Sequence, residues 1–254
     1  LTGGALHRGA HIAIEPGGLS AAARELQVNG EAALIAEAGN RVAVNLRGVD
    51  AALLQRGDVL CAENAFRASQ RFDVCLEALD GSQRALKHME QVTVLWGTAS
   101  ATALLRLFPV PDRDPHVHQH FAQLDFKQPQ IAYPGQRFVV RRPTSASIRT
   151  GGTIMDACAN LVTRNKQLHV AVLQAARSGD IEAIANAIAS RDRGCVDLAY
   201  LARLSRQSEA DIGAMLGGDF DVGGSHTAFR LADLKDVEGS YVQTLRTLHA
   251  RYPF

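Results

Sequence analysis

The sequence predicts a chain that is mainly β and then α: two small β-barrels followed by a winged-helix domain. Residues 1–65 alternate apolar and polar positions in short runs separated by glycines, which is typical of small β domains. Residues 66–158 continue the alternation in longer runs, whereas residues 159–254 change to the period of amphipathic helices. We therefore expect three domains with these bounds, a number that 254 residues can hold.

The first domain is centred on the run EAGNRVAVNLRGVDAALLQRGDVLC. Val42, Val44 and Leu46 alternate with polar or small residues, which predicts a strand with one buried face. Asp50 is placed to cap a single helical turn, and Gly57 suits the left-handed residue that follows such a turn. The run therefore predicts a strand, one helical turn and a second strand.

The middle range supplies strands for a second barrel. The segments RFDVCLEAL and QVTVLWGTASATALLRLF alternate, and the second of them turns at Gly97 and Thr98. Two more strands are expected in HFAQLDFKQPQIAYPGQRFVVRR, and SIRTGGTIMDA is expected to close the barrel.

The last range predicts a winged helix. A first helix is expected to end near Gly179, and a second is expected to be capped by Asp180. The apolar spacing over 198–216 is that of a helix-turn-helix. A hairpin around Gly223 and Gly224, the wing, and a helix over 234–250 complete the domain.

Several motifs resemble a known family. The order AG-x-x-V, LRGV, one helical turn and RG-x-VL resembles the end of the second domain of translational GTPases of the elongation factor Tu type. The version RVAVNLRGVDAALLQRGDVL is most similar to the selenocysteine-specific elongation factors of bacteria. The patterns GT-x-x-x-x-A-x-x-x-L and G-x-RF-x-x-R resemble the third domain of these factors, and the last range resembles the first of their winged-helix repeats. Residues 149–152 depart from the family, which usually has one more residue before the glycines.

The resemblance implies a part of a factor that binds selenocysteinyl-tRNA and delivers it to the ribosome at UGA codons. The sequence contains no G-x-x-x-x-G-K-[ST] and no N-K-x-D motif. GTP and Mg²⁺ are therefore expected in a GTPase domain that is missing from this chain, and the chain itself is not expected to be an enzyme. The first strand of the first barrel is also expected to be missing, as are the later winged helices, which bind a messenger-RNA hairpin in the family.

Arg41 is the candidate residue of the aminoacyl pocket. The resemblance places it two residues after Gly39, where elongation factor Tu usually has Asn beside the aminoacyl group. A selenol is more acidic than a thiol, so selenocysteine is largely an anion at neutral pH. A guanidinium would favour that anion and reject neutral serine, the precursor amino acid. An arginine on the solvent face of a strand is the alternative interpretation.

A basic set in the middle range is the candidate tRNA-binding surface. Residues 66–158 carry eleven Lys/Arg against eight Asp/Glu, whereas residues 1–65 carry five against seven. The resemblance implies contacts to the T-stem side of tRNA, made to phosphates and 2′-hydroxyls, and glycines would let the backbone approach. Arg137 and Arg141 should lie on one face of a strand and Arg142 on the other. One tRNA would therefore have to wrap around the edge of the strand to contact all of them. The alternative interpretation is a charged face that contacts only solvent. The candidate residues are Lys87, Arg137, Arg141, Arg142, Arg149 and Gly151.

Three histidines have a spacing that occurs in metal sites. His116, His118 and His120 would line one side of a strand, and imidazole clusters bind zinc or copper. No carboxylate motif completes a site, so no metal is predicted.

The composition restricts the cellular location. The four cysteines lie far apart without a C-x-x-C motif, which favours reduced thiols in a cytoplasmic protein. No run approaches the ~18 apolar residues of a membrane span, and no signal-peptide pattern opens the sequence.

Two other interpretations stay open. Another GTPase of the elongation factor Tu type would share the barrels but should end soon after residue 156. A winged-helix regulator with β-barrel domains would bind duplex DNA, but the second helix of the helix-turn-helix exposes Glu209, Asp211 and Gly213, which do not read base edges. Arg203 and Arg206 precede that helix and are placed to meet phosphate, as a small footprint.

Overall fold

The computed structural model of the chain describes residues 1–78, 86–109, 119–143, 148–223 and 226–251. Within these ranges the order of elements is β-rich up to residue 156 and helical afterwards, as the sequence predicts. None of the helices in the described ranges is long and apolar enough to cross a membrane.

The N-terminal strands form a curled five-stranded sheet and a separate two-stranded sheet. In the larger sheet the order is β4-β3-β2-β7, and β6 also pairs with β3; the smaller sheet pairs β1 with β5. The inward side of these sheets buries small and aliphatic side chains such as Ile12, Ile14 and Leu26. The strands are β1 Ala5–His7, β2 His11–Glu15, β3 Leu19–Val28, β4 Glu31–Ala33, β5 Ile35–Glu37, β6 Val42–Arg47 and β7 Val59–Cys61.

The predicted strand, turn and strand of the central run are present. In β6 the half-buried valines and leucine alternate with exposed residues. The Asp50 carboxylate accepts a hydrogen bond of 3.0 Å from the Ala52 amide and caps a 3₁₀ turn, Ala51–Leu53. Gly57 has a φ of +111°, and a Cβ at that position would lie 3.1 Å from the Cα of Ala99. This glycine therefore meets two needs, a left-handed conformation and the close approach of the next barrel.

The next six strands close into a barrel in the order β10-β11-β8-β13-β12-β9. Large apolar side chains fill it, with Phe72, Trp96 and Phe126 in mutual edge or tilted contact. The Trp96 indole N–H donates to the Ile131 carbonyl at 2.8 Å, so its polar atom is satisfied inside the core. The strands are β8 Ser69–Ala78, β9 Glu90–Trp96, β10 Ala99–Leu107, β11 Gln119–Gln130, β12 Arg137–Arg141 and β13 Ile148–Asp156.

The helical part has the element order of a winged helix. Its core contains Ile184, Ile188, Leu201 and Ile212, which are fully buried. A three-stranded sheet in the order β14-β16-β15 forms the wing side. The elements are α1 Lys166–Ser178, α2 Ile181–Arg191, β14 Cys195–Asp197, α3 Leu198–Ser205, α4 Glu209–Met215, β15 Phe220–Gly223, β16 Thr227–Arg230 and α5 Leu231–Arg251.

Two details of this part differ from the sequence prediction. The strand β14 was not predicted, because three residues are too few to show a period. The last helix begins at Leu231 and not at 234, because it follows β16 without a connecting loop. Gly224 of the predicted wing turn lies outside the described residues.

Candidate nucleic-acid interface

Arg41 lies immediately before β6 and is exposed. The alternation of β6 directs Val42, Val44 and Leu46 inward, so residues 41, 43, 45 and 47 face outward. Among the described residues, no carboxylate forms an ion pair with Arg41. Its guanidinium is therefore accessible to an anionic ligand, and its role in an aminoacyl pocket stays a prediction.

The structure divides the candidate tRNA-binding residues into groups. Arg137 of β12 forms an ion pair with Glu77 of β8, with Nη1 and Oε1 3.0 Å apart, and Gly151 is the register partner of Glu77 in the strand between them. Arg137 and Gly151 are thus neighbours on one outer face of the barrel. The Glu77 carboxylate partly balances the charge of Arg137, so Arg137 should attract a phosphate less strongly than an unpaired arginine would.

A second group surrounds Glu90. The Arg142 guanidinium donates to the Glu90 carboxylate, and the Lys87 amide N–H donates to the same carboxylate at 2.8 Å. The Arg142 hydrogen bonds hold the pKa of Glu90 below its usual value. Lys87 and Arg142 are therefore brought together, but around a carboxylate that competes with any phosphate for Arg142.

Arg141 and Arg149 stand on neighbouring strands. Arg141 pairs in register with Thr93 of β9 and with Ile148 of β13. Arg149 lies in β13, and its side chain lies outside the described part of the chain. The candidate residues thus belong to separate groups on the barrel, and their joint contact with tRNA stays a prediction.

The packing of the barrel strands explains the two glycines of β13. A Cβ at Gly152 would lie 2.0 Å from the Cys75 carbonyl oxygen, and one at Gly151 would lie 3.0 Å from the Phe138 carbonyl oxygen. Both glycines let neighbouring strands approach, so a close approach of RNA is not needed to explain them. The predicted contact of Gly151 with tRNA stays a prediction.

A buried polar network joins the barrel to the helical part. The Asp73 carboxylate accepts from the Gln123 amide and contacts His169 Nε2, each at 2.8 Å. Arg191 donates to His169 Nδ1 at 2.9 Å and to the Tyr200 hydroxyl at 3.2 Å. Because a guanidinium only donates, Nδ1 must accept, and Nε2 carries the proton that His169 donates to Asp73.

The network continues to a second buried carboxylate. Arg203 places its guanidinium 5.4 Å from the Tyr200 ring centroid and its Nε 3.5 Å from Asp156 Oδ1. Asp156 is 1% exposed and also accepts from the Cys158 amide at 2.8 Å. Burial raises the pKa of Asp156 above its usual value, because the carboxylate loses hydration. A cavity of about 410 Å³ lies over these residues.

This junction was not predicted from the sequence, although a signal is present. Asp73 stands between the core residues Phe72 and Val74 in a strand, where an outward residue is normally solvated. Here the outer face of β8 is covered by α1, so the carboxylate is buried and needs partners.

The two arginines before the second helix of the helix-turn-helix face the barrel. Arg203 contacts Asp156, and the Arg206 guanidinium packs on the turn at Gly135, where a Cβ would lie 2.6 Å from Arg206 Nη2. Arg203 thus has a carboxylate partner, whereas Arg206 is exposed, and a contact of either with phosphate stays a prediction. The second helix itself, α4, keeps its acidic character, and Glu209 pairs with His226 at 2.9 Å.

The predicted histidine motif is only partly visible. His120 lies in β11 and is exposed, whereas His116 and His118 lie outside the described residues. Within the described ranges no group of three or more His, Cys, Asp or Glu is arranged to hold a metal ion. The four cysteines are free, and burial raises the pKa of each thiol, which keeps them protonated and unreactive.

Comparison with known proteins gives a relative by sequence. The chain is 36% identical over 166 residues to the selenocysteine-specific elongation factor of Desulfomicrobium baculatum; the match covers 65% of this chain and 26% of that factor. The chain thus spans about a quarter of the length of this relative. No family model matches the chain.

Solved structures of two proteins share the fold of this chain. A crystal structure of a bacterial selenocysteine-specific elongation factor, EF-Sec, superposes on 99% of this chain and 39% of its own, with a TM-score of 0.69 and 17% identity. Elongation factor SelB from Methanococcus maripaludis, in its apo form, covers 60% of this chain and 37% of its own, with a TM-score of 0.53 and 21% identity. A second structure of that factor, at 20% identity and the same TM-score and coverage, holds the GTP analogue GPPNHP.

The sequence match and the fold agree with each other and with the resemblance seen in the motifs. They favour that interpretation over a DNA-binding regulator and over another GTPase of the elongation factor Tu type. In sequence the chain is similar to the selenocysteine-specific elongation factor of Desulfomicrobium baculatum, and its fold is that of the solved EF-Sec structure.

Proposed function

We propose that this chain is the part of a selenocysteine-specific elongation factor that holds selenocysteinyl-tRNA for delivery to the ribosome at UGA codons. The observation that carries the proposal is Arg41, an exposed arginine without an ion-pair partner among the described residues, in a run that matches the family motif. A guanidinium prefers an anionic selenolate to a neutral hydroxyl, because charge-assisted hydrogen bonds are about twice as strong as neutral ones.

The barrel would hold the tRNA stem through these basic groups. Phosphates and 2′-hydroxyls of an A-form stem are recognised by shape and charge, so separate basic groups on one barrel can contact different parts of the stem backbone. Lys87 and Arg141 are the members for which no ion pair is seen among the described residues, so we expect them to contribute most. Arg137 and Arg142 would have to exchange their carboxylate partners for phosphate.

GTP does not fit the residues of this chain. The sequence has no phosphate-binding loop and no guanine-specific motif, so nucleotide binding would belong to another domain of the factor. The helical part would begin the arm toward a messenger-RNA hairpin, and the buried junction around Asp73 would fix the direction of that arm. We do not propose an enzymatic activity for this chain.

The test is made with a chimera that supplies the other domains. This chain replaces the segment that it matches in the Desulfomicrobium baculatum factor, and the chimera is loaded with a non-hydrolysable GTP analogue. Binding of selenocysteinyl-tRNA and seryl-tRNA, both on the selenocysteine tRNA body, is then measured. We expect Arg41→Ala to weaken selenocysteinyl-tRNA binding about tenfold or more, since a hydrogen bond to a charged group contributes about 1.5–3 kcal/mol, and to leave seryl-tRNA binding unchanged.

The matched control is Arg56→Ala, which removes another exposed arginine, in the turn before β7. It should change neither affinity. If Arg41→Ala weakens both charged tRNAs equally, Arg41 contacts the tRNA body and not the selenolate. If neither charged tRNA binds more tightly than bulk tRNA, the proposed function is wrong.

A further inference from the structure

A second basic site lies in the N-terminal sheets, where the overall charge of the sequence does not suggest one. A cavity of about 940 Å³ opens between the two-stranded sheet and the outer face of the larger sheet. Three of the five arginines of residues 1–65 line it, namely Arg8, Arg24 and Arg47, and none of the seven acidic residues of that range does. The net negative charge of this range is therefore carried elsewhere on its surface.

The strand register explains how the cavity forms. His11 of β2 pairs with Ala22 of β3, and Ala22 pairs on its other side with Arg47 of β6. Directly paired residues of antiparallel strands point to the same face, so the side chains of His11, Ala22 and Arg47 lie side by side. The small Ala22 methyl group forms the floor of the cavity between the other two. Arg24 follows on β3 at a register shift between Ala23 and Glu25. Such a bulge changes the direction of a side chain, and Arg24 is one of the residues that line the cavity.

The smaller sheet supplies the opposite wall. His7 of β1 pairs with Ile35 of β5, and the Arg8 amide donates to the Leu34 carbonyl at 2.8 Å. These bonds fix the turn that carries Arg8 next to the exposed side chains of Leu34 and Ile35, which are 70% and 50% exposed. The wall thus combines a guanidinium with aliphatic surface.

The arginines of this cavity differ from those of the barrel in their pairing. Arg106, Arg137 and Arg142 of the barrel each have a carboxylate partner. In the described part of the chain, no carboxylate lies within ion-pair distance of Arg8, Arg24 or Arg47. The cavity is therefore lined by three guanidinium groups whose charge no carboxylate among the described residues balances, and the side chain on its floor is small. Such a site favours a ligand with several negative charges.

From this arrangement we infer that the cavity binds the phosphodiester backbone of a single nucleic-acid strand. The two parallel N–H groups of a guanidinium match the spacing of phosphate oxygens. Because the floor residue is small, a phosphate group can enter the cavity and reach these N–H groups. A volume near the upper end of the ~300–1,000 Å³ range of ligand sites accommodates several phosphates. The aliphatic side chains of Leu34 and Ile35 are placed to contact ribose or base.

The site is separate from the proposed aminoacyl pocket. Arg41 precedes β6 and Arg47 ends it, and six residues of extended strand span about 20 Å. The inference rests on the charge and shape of the cavity, so it holds whether or not the chain recognises selenocysteinyl-tRNA.

The experiment measures binding of a fluorescent RNA 12-mer of mixed sequence to the 254-residue chain at several salt concentrations. The test variant is Arg8→Gln/Arg24→Gln/Arg47→Gln. The matched control, Arg56→Gln/Arg193→Gln/Arg246→Gln, removes the same charge from exposed arginines away from the cavity. We expect the test variant to bind about tenfold or more weakly than the control variant. Its log–log salt slope should also be smaller by about 2, since each contact to a single strand contributes ~0.7.

A second variant keeps all the arginines. Ala22→Glu places a carboxylate on the cavity floor between His11 and Arg47, and it should reduce RNA binding to the level of the test variant. Circular dichroism checks that each variant is folded, which is expected because the changed arginines are exposed.

Competition identifies the class of ligand. Neither tripolyphosphate nor a glutamate 12-mer peptide, at equal charge, should displace the RNA. Displacement by tripolyphosphate would make this a site for a small phosphorylated compound, and displacement by the peptide a site for an acidic protein segment. Either result overturns the inference, as does equal RNA binding by the test and control variants.

Discussion

At the scale of single residues, Gly152 shows how closely two strands of the barrel pack. A Cβ at this position would lie 2.0 Å from the Cys75 carbonyl oxygen, which belongs to the backbone and cannot rotate away. We expect Gly152→Ala to lower the free energy of unfolding by about 3 kcal/mol or more, because β8 and β13 must separate.

Urea unfolding measures this change. Gly218 is the control, since nothing lies within 4 Å of a Cβ built there, and Gly218→Ala should change the free energy by less than about 0.5 kcal/mol. Equal effects of the two substitutions would contradict the close approach of the strands.

Asp156 gives the chain a pH dependence of known sign. Burial raises its pKa in the folded state, whereas an unfolded Asp titrates near ~3.9. As pH rises between these two values, the folded state keeps a proton that the unfolded state has lost, so stability falls. Asp156→Asn cannot lose a proton, and its stability relative to the unchanged chain should therefore improve as pH rises from about 4 to 7.

Urea unfolding at several pH values tests this difference. Asp221→Asn, at an exposed aspartate, serves as the control. A relative stability of Asp156→Asn that is constant with pH, or that worsens as pH rises, would show that burial does not raise the pKa of Asp156.

At the scale of elements, the helical part depends on caps that the sequence already indicates. The Asp180 carboxylate accepts from the amides of Glu182 and Ala183 at 3.0 and 3.3 Å, at the start of α2. Asp180→Ala leaves those donors without an acceptor and should cost about 1 kcal/mol of stability. Asp180→Asn keeps an acceptor oxygen and should lose only a fraction of this. Chemical denaturation measures the stability of both variants. Equal losses would show that the charge of Asp180, and not its hydrogen bonds to the helix, stabilises α2.

Caps and turns were predictable because they are local. Asp50, Asp180 and Gly57 act on residues within three or four positions of themselves, and the structure confirms each. The strand β14 was missed because its existence depends on pairing with β16, more than thirty residues later, and not on its own three residues.

At the scale of the whole molecule, the junction around Asp73 decides how the helical part sits on the barrel. Asp73 is 1% exposed and contacts both Gln123 of the barrel and His169 of α1. Asp73→Ala removes the acceptor for both, and each buried donor left without an acceptor should lower stability by about 1–3 kcal/mol. It should also loosen the helical part from the barrel.

Two measurements check this prediction. Urea unfolding gives the stability loss, and limited proteolysis should cut the connection over 157–165 faster in the variant. Asp221→Ala, at an exposed aspartate of the wing, should alter neither. Unchanged proteolysis in Asp73→Ala would mean that the junction does not hold the two parts together.

The sequence by itself determined the change from strands to helices, the second barrel, the winged helix and the family resemblance. These follow from periodicity, caps, turns and ordered motifs, which act over short distances along the chain. Only the tertiary structure decided which charges are free. Arg137 and Arg142 acquire carboxylate partners from other strands, Arg203 and Arg206 turn toward the barrel, and the arginines of an acidic segment meet in one cavity. Pairing of this kind depends on sheet register and on contacts between residues far apart in the chain, which composition and spacing do not encode.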